Sequence, residues 1–367
     1  MVRSRNGVGD VRWTVVQARH STFAAYQVIT MPHAQQRFPR FNLARLLSLA
    51  LRSTLPVMAL ALTLLGERAM ADAAPPASKA PVPVQQSLVT RDGVVLVCTY
   101  LPGTKEKEST PVILLHEHKG SRRDLEPLGL SLQSLLGCAV IIPDLRGHGD
   151  SKVKTGQTKR LEADTFTRAA DFVPMAEDDL EAVKRFLVKE NNNGRCNIDK
   201  LCVVGVQMGA SVAAMWGAKD WSWPAFINGK QGQDVKGLVL ISAVPNFYGL
   251  NLTQALAKPA PPNLPAYRTG VSVMVIAGVS DSKASADAKN IVRMFEQGRK
   301  PAEYESDDLT QRTMFTDLVD TKLQGTKLLT ESSLALDQKI AAFIKIRAVD
   351  QPYPWLERYN QLGEVDK

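Results

Sequence analysis

After residue 87 the chain alternates short, almost wholly apolar runs with longer amphipathic stretches. Val112–Leu115, Ala139–Ile142, Cys202–Gly205, Gly237–Ile241 and Val271–Ala277 are such runs. Apolar residues on both sides of a strand predict a parallel sheet covered on both faces. Between the runs, the segments from about 124 to 136, 178 to 189, 284 to 297 and 334 to 346 place apolar residues at helical spacing. Leu180, Val183, Phe186 and Leu187 form one such stripe, which Asn191–Gly194 brings to a stop. Asp178 and Asp179 are expected to open that helix, where its dipole favours acids. A hairpin over Ser87–Tyr100 turns at the Asp92-Gly93 pair. Leu250–Ala257 predicts a short helix, 258–265 a loop, and Arg312–Val319 the last strand. The alternation predicts an α/β fold. It is a single domain over residues 88–349, with a doubly wound, mostly parallel sheet and helices on both faces.

Charge changes the picture only at the N-terminus. The whole chain of 367 residues carries a net +8. Residues 1–71 account for +7 of this, with nine Arg, no Lys and only Asp10 and Glu67 as acids. The remainder is close to neutral, so no nucleic-acid-binding face is indicated. Arg37, Arg40, Arg45 and Arg52, then the mostly apolar run Leu55–Leu65, then Ala69-Met70-Ala71, have the layout of a cleaved export signal. Met31 is a candidate start. The competing reading is an uncleaved membrane anchor over 45–65, which Arg52 interrupts. Residues 72–87 read as a Pro/Ala linker and 350–367 as a C-terminal tail. Export would permit disulfides among Cys98, Cys138, Cys196 and Cys202, with all three pairings open; buried thiols are the alternative. No Cys/His metal spacing occurs, and no metal or cofactor is expected.

The chemistry-bearing stretch is Leu201–Ala214. An apolar strand passes through Gly205-Val206-Gln207-Met208-Gly209 into a helix rich in small residues. Strand, G-x-X-x-G and helix together have the layout of a nucleophile elbow, whose tip residue is held in a strained turn above the sheet. A working elbow carries Ser, Cys or Asp at that tip. Here the tip is Gln207, and an amide is no nucleophile.

Four stations at strand ends, in order, resemble the α/β-hydrolase superfamily over roughly Leu88–Val349. His116–Ser121 resembles its H-G-x-x-G-S loop, and Pro143–Ser151 is similar to its D-x-R-G-x-G-x-S loop. Gly205–Gly209 stands at the elbow, and Gly278–Asp281 resembles the G-x-x-D strand end that carries the acid. The resemblance implies that Asp281 occupies the acid position. It also implies that the catalytic His should fall near Lys322–Lys327, where Gln324 precedes Gly325. All five histidines, His20, His33, His116, His118 and His148, precede the elbow. Two members of the triad are thus amides, and because such residues act as a unit, serine-type hydrolysis is not expected.

Of the remaining candidates, Asp281 is either a surviving orienting carboxylate or the cap of the helix that follows it. The backbone N–H groups of His118 and Met208 stand where the resemblance puts the oxyanion hole, and would bind a ligand oxygen. His118 could equally face solvent at a loop tip. His116 and His148 are expected to tie loops together. Glu117 either closes the pocket or points outward, and Ser211 is expected to be packed in the helix. Three functions fit: an exported pseudoenzyme that binds a small carbonyl-containing ligand or a protein partner, an enzyme with non-standard residues acting on an ester or lactone, or a structural envelope protein.

Overall fold

The computed structural model describes residues 81–224, 230–261 and 265–358. The leader over 1–71, and the linker as far as residue 80, lie outside the described residues. The chain divides into two units, Met1–Pro76 and Ala77–Lys367, and the second holds the α/β domain.

Eight strands build the main sheet: β1 (Val84–Val89), β2 (Val94–Leu101), β3 (Pro111–Leu115), β4 (Ala139–Pro143), β5 (Cys202–Val206), β6 (Gly237–Ile241), β7 (Ser272–Gly278) and β8 (Met314–Val319). Their spatial order is β1-β2-β4-β3-β5-β6-β7-β8. β2 runs antiparallel to both β1 and β4, and every later pairing is parallel. The two-residue strand Val153–Lys154 also pairs with β2.

The main helices are α1 (Glu126–Leu136), α2 (Leu180–Asn192), α3 (Met208–Trp221), α4 (Ser282–Glu296) and α5 (Leu336–Ile344). Alternation along β3 explains why its run is wholly apolar. Ile113 and Leu115 face the core under α2, α3 and α4, while Val112 and Leu114 face the core under α1 and α5. With both faces covered, no position along β3 is left for a solvated side chain.

Three expectations need correction. β1 begins at Val84, inside the stretch read as linker, because pairing with Tyr100 and Thr99 orders residues that have no apolar periodicity of their own. Asp178 and Asp179 do not open a helix. Residues Ala169–Pro174 are already helical and pass through a π-turn, Met175–Asp179, straight into α2. Pro174 lacks the N–H that an unbroken helix would use, and a wider turn follows it. Asp179 is instead fully buried beneath the guanidinium of Arg146, and Asp178 lies 3.0 Å from Arg91. The tail is also docked as far as Arg358. Asn191 and Asn197 donate to the carbonyls of Leu356 and Tyr353, and Arg358 forms a bidentate pair with buried Asp234 at 2.6 and 3.0 Å.

All four cysteines are buried free thiols. Among the described residues no helix is long and apolar enough to cross a membrane.

Sheet and helix backbones come close at the start of α3. A Cβ on Gly209 would overlap the Leu115 carbonyl oxygen and lie 2.7 Å from that of His116. Gly209→Ala is therefore expected to cost about 3 kcal/mol, since backbone cannot yield as a side chain can. The check is the urea midpoint; a midpoint unchanged from the parent would contradict this packing.

Candidate functional site

The turn between β5 and α3 is the point on which the site is built. Gln207 has φ 47° and ψ −107°, a conformation costly for any residue with a Cβ, of order 1–3 kcal/mol. It is held there because its N–H donates to the Ile241 carbonyl at 2.8 Å, and because α3 must lie tight against β3 through Gly209. The tip thus stands at the carboxyl ends of the strands, where open α/β sheets bind ligands. Ser211, one turn on, is fully buried and donates to the Val244 carbonyl at 3.3 Å, so it is packed and not presented.

The loop after β8 meets the tip. Gln324 does stand at the strand end, but its Nε2 turns back to donate to the Gly278 carbonyl at 2.7 Å. Gly325 N–H donates to Ser242 Oγ at 2.9 Å. Gly325 has φ +61°, and a Cβ there would overlap the Glu117 carboxylate and lie 2.6 Å from Gln207 Nε2. Three loops therefore converge on one glycine: the tip, the loop after β3 and the loop after β8. Glu117 does not point outward. Its Oε2 reaches the N–H of Thr326 at 3.4 Å. Neither Glu117 nor Ser242 could be assigned this part from the sequence; the positive φ of Ser242 (50°) is visible only in the fold.

Asp281 is not brought into this group. It is exposed, and its Oδ1 accepts the N–H of Ala284 at 2.8 Å, capping α4. Of its two readings, the cap is the one its contacts support.

The loops after β3 and β4 are tied by histidines, as expected for His116 and His148. Buried His116 accepts the N–H of Leu145 on Nε2 at 3.0 Å and offers Nδ1 to the Glu117 carbonyl at 2.8 Å. His148 donates from Nδ1 to the Arg146 carbonyl, leaving Nε2 to accept from His118 Nδ1 at 3.2 Å. His118 therefore turns inward and packs edge-on against Phe172 and Phe247. Burial lowers the pKa of all three rings, that of His148 to about 3, with the neighbouring His116 adding to the effect. The backbone N–H groups of His118 and Met208 have no hydrogen-bond partner among the described residues.

Beneath these loops, Arg122 is paired with buried Asp144, and Arg146 with Asp179 and Asp92. The D-x-R pattern of this loop is thus structural: both charges are buried against partners. No group of three or more potential metal ligands occurs among the described residues.

A doubly wound sheet with its elbow after the fifth strand and converging loops at the strand ends defines the α/β-hydrolase class. The sequence model of the Alpha/beta hydrolase family matches residues 112–355, and the chain belongs to that family. No curated protein matches it. Among solved structures it is similar to a protein of unknown function from Agrobacterium tumefaciens, at 15% identity over 74% of this chain and 100% of that one, with TM-score 0.50. An esterase from Pyrococcus furiosus matches at 16% identity over 73% and 92%, with TM-score 0.49. A dienelactone hydrolase from Anabaena variabilis matches at 14% identity over 74% and 100%, with TM-score 0.48. At 15% identity the Agrobacterium match speaks for the fold alone.

Two measurements check the electrostatics. The folded pKa of His148 is depressed, so its contribution is present above the unfolded value near 6.5 and is lost as pH falls from there toward 3. Stability should drop by about 2 kcal/mol from this group alone between about pH 7.5 and 5, by linkage. In urea unfolding, His148→Gln should show a smaller drop than the parent; equal drops would contradict a neutral buried ring. Asp281→Ala should cost about 1 kcal/mol as a lost helix cap. A loss above about 3 kcal/mol in the same assay would mean the carboxylate does more than cap.

Proposed function

We propose that this protein binds a small ligand or a protein partner at the elbow and does not perform acyl transfer. The observation that carries the reading is Gln207 at the strained tip, with its amide against Gly325; the resemblance would put the family's proton carrier near Gln324, also an amide. Acyl transfer requires an attacking oxygen or sulfur and a base with a pKa near neutrality. An amide supplies neither. The N–H groups of His118 and Met208, without a hydrogen-bond partner among the described residues, support ligand binding, because a two-donor hole is made by backbone and does not depend on the nucleophile. The leader pattern of residues 1–71 adds export to the proposal, with the mature protein outside the cytoplasm.

A second reading is favoured by one specific contact. Glu117 lies against Gly325 together with the Gln207 amide, and as a carboxylate it could activate water for attack on an ester or lactone.

Steady-state assays of the purified protein on aryl esters, lactones and amides separate the two readings. The binding reading expects no turnover above buffer, and still none for Glu117→Gln. Turnover by the parent that Glu117→Gln abolishes would establish the second reading and overturn the first.

A further inference from the structure

Residues 351–358 form no helix or strand, and Pro352 and Pro354 bring no backbone donor. The segment is held from outside. Asn197 donates to the Tyr353 carbonyl at 2.9 Å, Asn191 to that of Leu356 at 2.9 Å, and Asn192 to that of Arg358 at 2.7 Å. Trp355 donates to the Asn191 carbonyl at 3.1 Å, with the Lys107 ammonium 3.8 Å from the centre of its ring. Pro352, Pro354, Leu356 and Glu357 face solvent, while Arg358 is buried. The segment is a strap with its anchor at the far end.

The anchor enters a cluster of buried carboxylates, Asp199, Asp220 and Asp234. Lys184 of α2 reaches Asp220 at 2.5 Å and Asp234 at 3.0 Å. Lys230 pairs with Asp199 and, at 3.1 Å, with Asp234. Arg358 adds its two bonds to Asp234 and lies 3.4 Å from Asp199. Its Nε also donates to the Lys230 carbonyl at 3.1 Å, tying down the segment before β6. Lys236, the next cation along, turns to the Gln233 carbonyl at 2.7 Å and to the Tyr353 ring. Three carboxylates thus meet three cations, and one of those cations arrives on the tail. A buried charge that loses its partner is strongly destabilising.

We infer that residues 351–358 are a latch that completes the fold: the cluster holds an excess of buried negative charge until Arg358 docks, so the domain reaches full stability only when its last residues are in place. The inference is independent of what the elbow binds. It also makes the strap a control point. Leu356 and Glu357 are exposed just before the anchor, so a single cut there would detach Arg358 and leave every strand and helix of the domain uncut.

The test is urea unfolding of the whole protein and of three variants: Arg358→Met, Asp234→Asn and the two together. Arg358→Met keeps the apolar stem and should lower the midpoint by about 1 M. In the double variant two acids face two lysines, so its loss should fall well below the sum of the single losses. Should Arg358→Met not fold, the double variant decides alone: it folds if charge is at fault and fails if packing is. A third reading comes from pH. Burial raises the Asp234 carboxyl, but the Lys184, Arg358 and Lys230 charges outweigh it and hold it well below the ordinary 3.8. The stability it contributes is present above 3.8 and lost as pH falls, so the gap between parent and Arg358→Met should narrow below about pH 4. A midpoint for Arg358→Met equal to the parent's, additive losses in the double variant, or a gap that does not change with pH would overturn the inference.

Discussion

Everything at the strand ends depends on one turn. The backbone at Gln207 occupies a region that side chains avoid, and the sheet and α3 together prevent it from relaxing. β5 fixes the residue before it, the Ile241 carbonyl holds its N–H, and the close approach of Gly209 to the β3 backbone fixes where α3 begins. Strain of this kind persists only where surrounding packing over-determines it. The chain has kept that arrangement while presenting an amide at its apex, so the strain positions a side chain that cannot attack a carbonyl.

The surroundings of the turn are arranged to hold loops in place. Buried pairs tie the loop after β4: Arg146 to Asp179, and Arg122 to Asp144. His116 and His148 bridge it to the loop after β3 as neutral rings, which burial keeps deprotonated. Removing one partner from such a buried pair is strongly destabilising, because it leaves a charge or a donor without compensation. The rigid frame fixes Glu117 over the tip. A carboxylate on a mobile loop would find solvent; here it lies against Gly325 and Gln207.

The sheet was legible from sequence because a strand buried on both faces must be apolar at every position, and such runs are hard to mistake. The elbow was legible for a related reason: the glycines at 205 and 209 are demanded by a close backbone approach that the strand–turn–helix order already implies. Glu117 was not, since its partner Thr326 lies 209 residues away and no local pattern announces the pairing. The π-turn hid the true setting of Asp179, which looks like an ordinary helix-opening acid until Arg146 folds over it. The start of β1 and the docking of the tail were missed alike, because in both the order comes from a distant partner and not from local periodicity. Asp281 illustrates the converse. The strand-end motif placed it correctly along the chain, and yet its side chain serves α4.

The central claim is that the scaffold of an acyl-transfer enzyme is retained while its attacking atom and its proton carrier are inert. The most direct measurement is intact-protein mass spectrometry after rapid acid quench from a large excess of an activated acyl ester. The account predicts a single species at the unmodified mass at every quench time. An acyl adduct that forms and decays during incubation, on Gln207 or on any other residue at the strand ends, would contradict it.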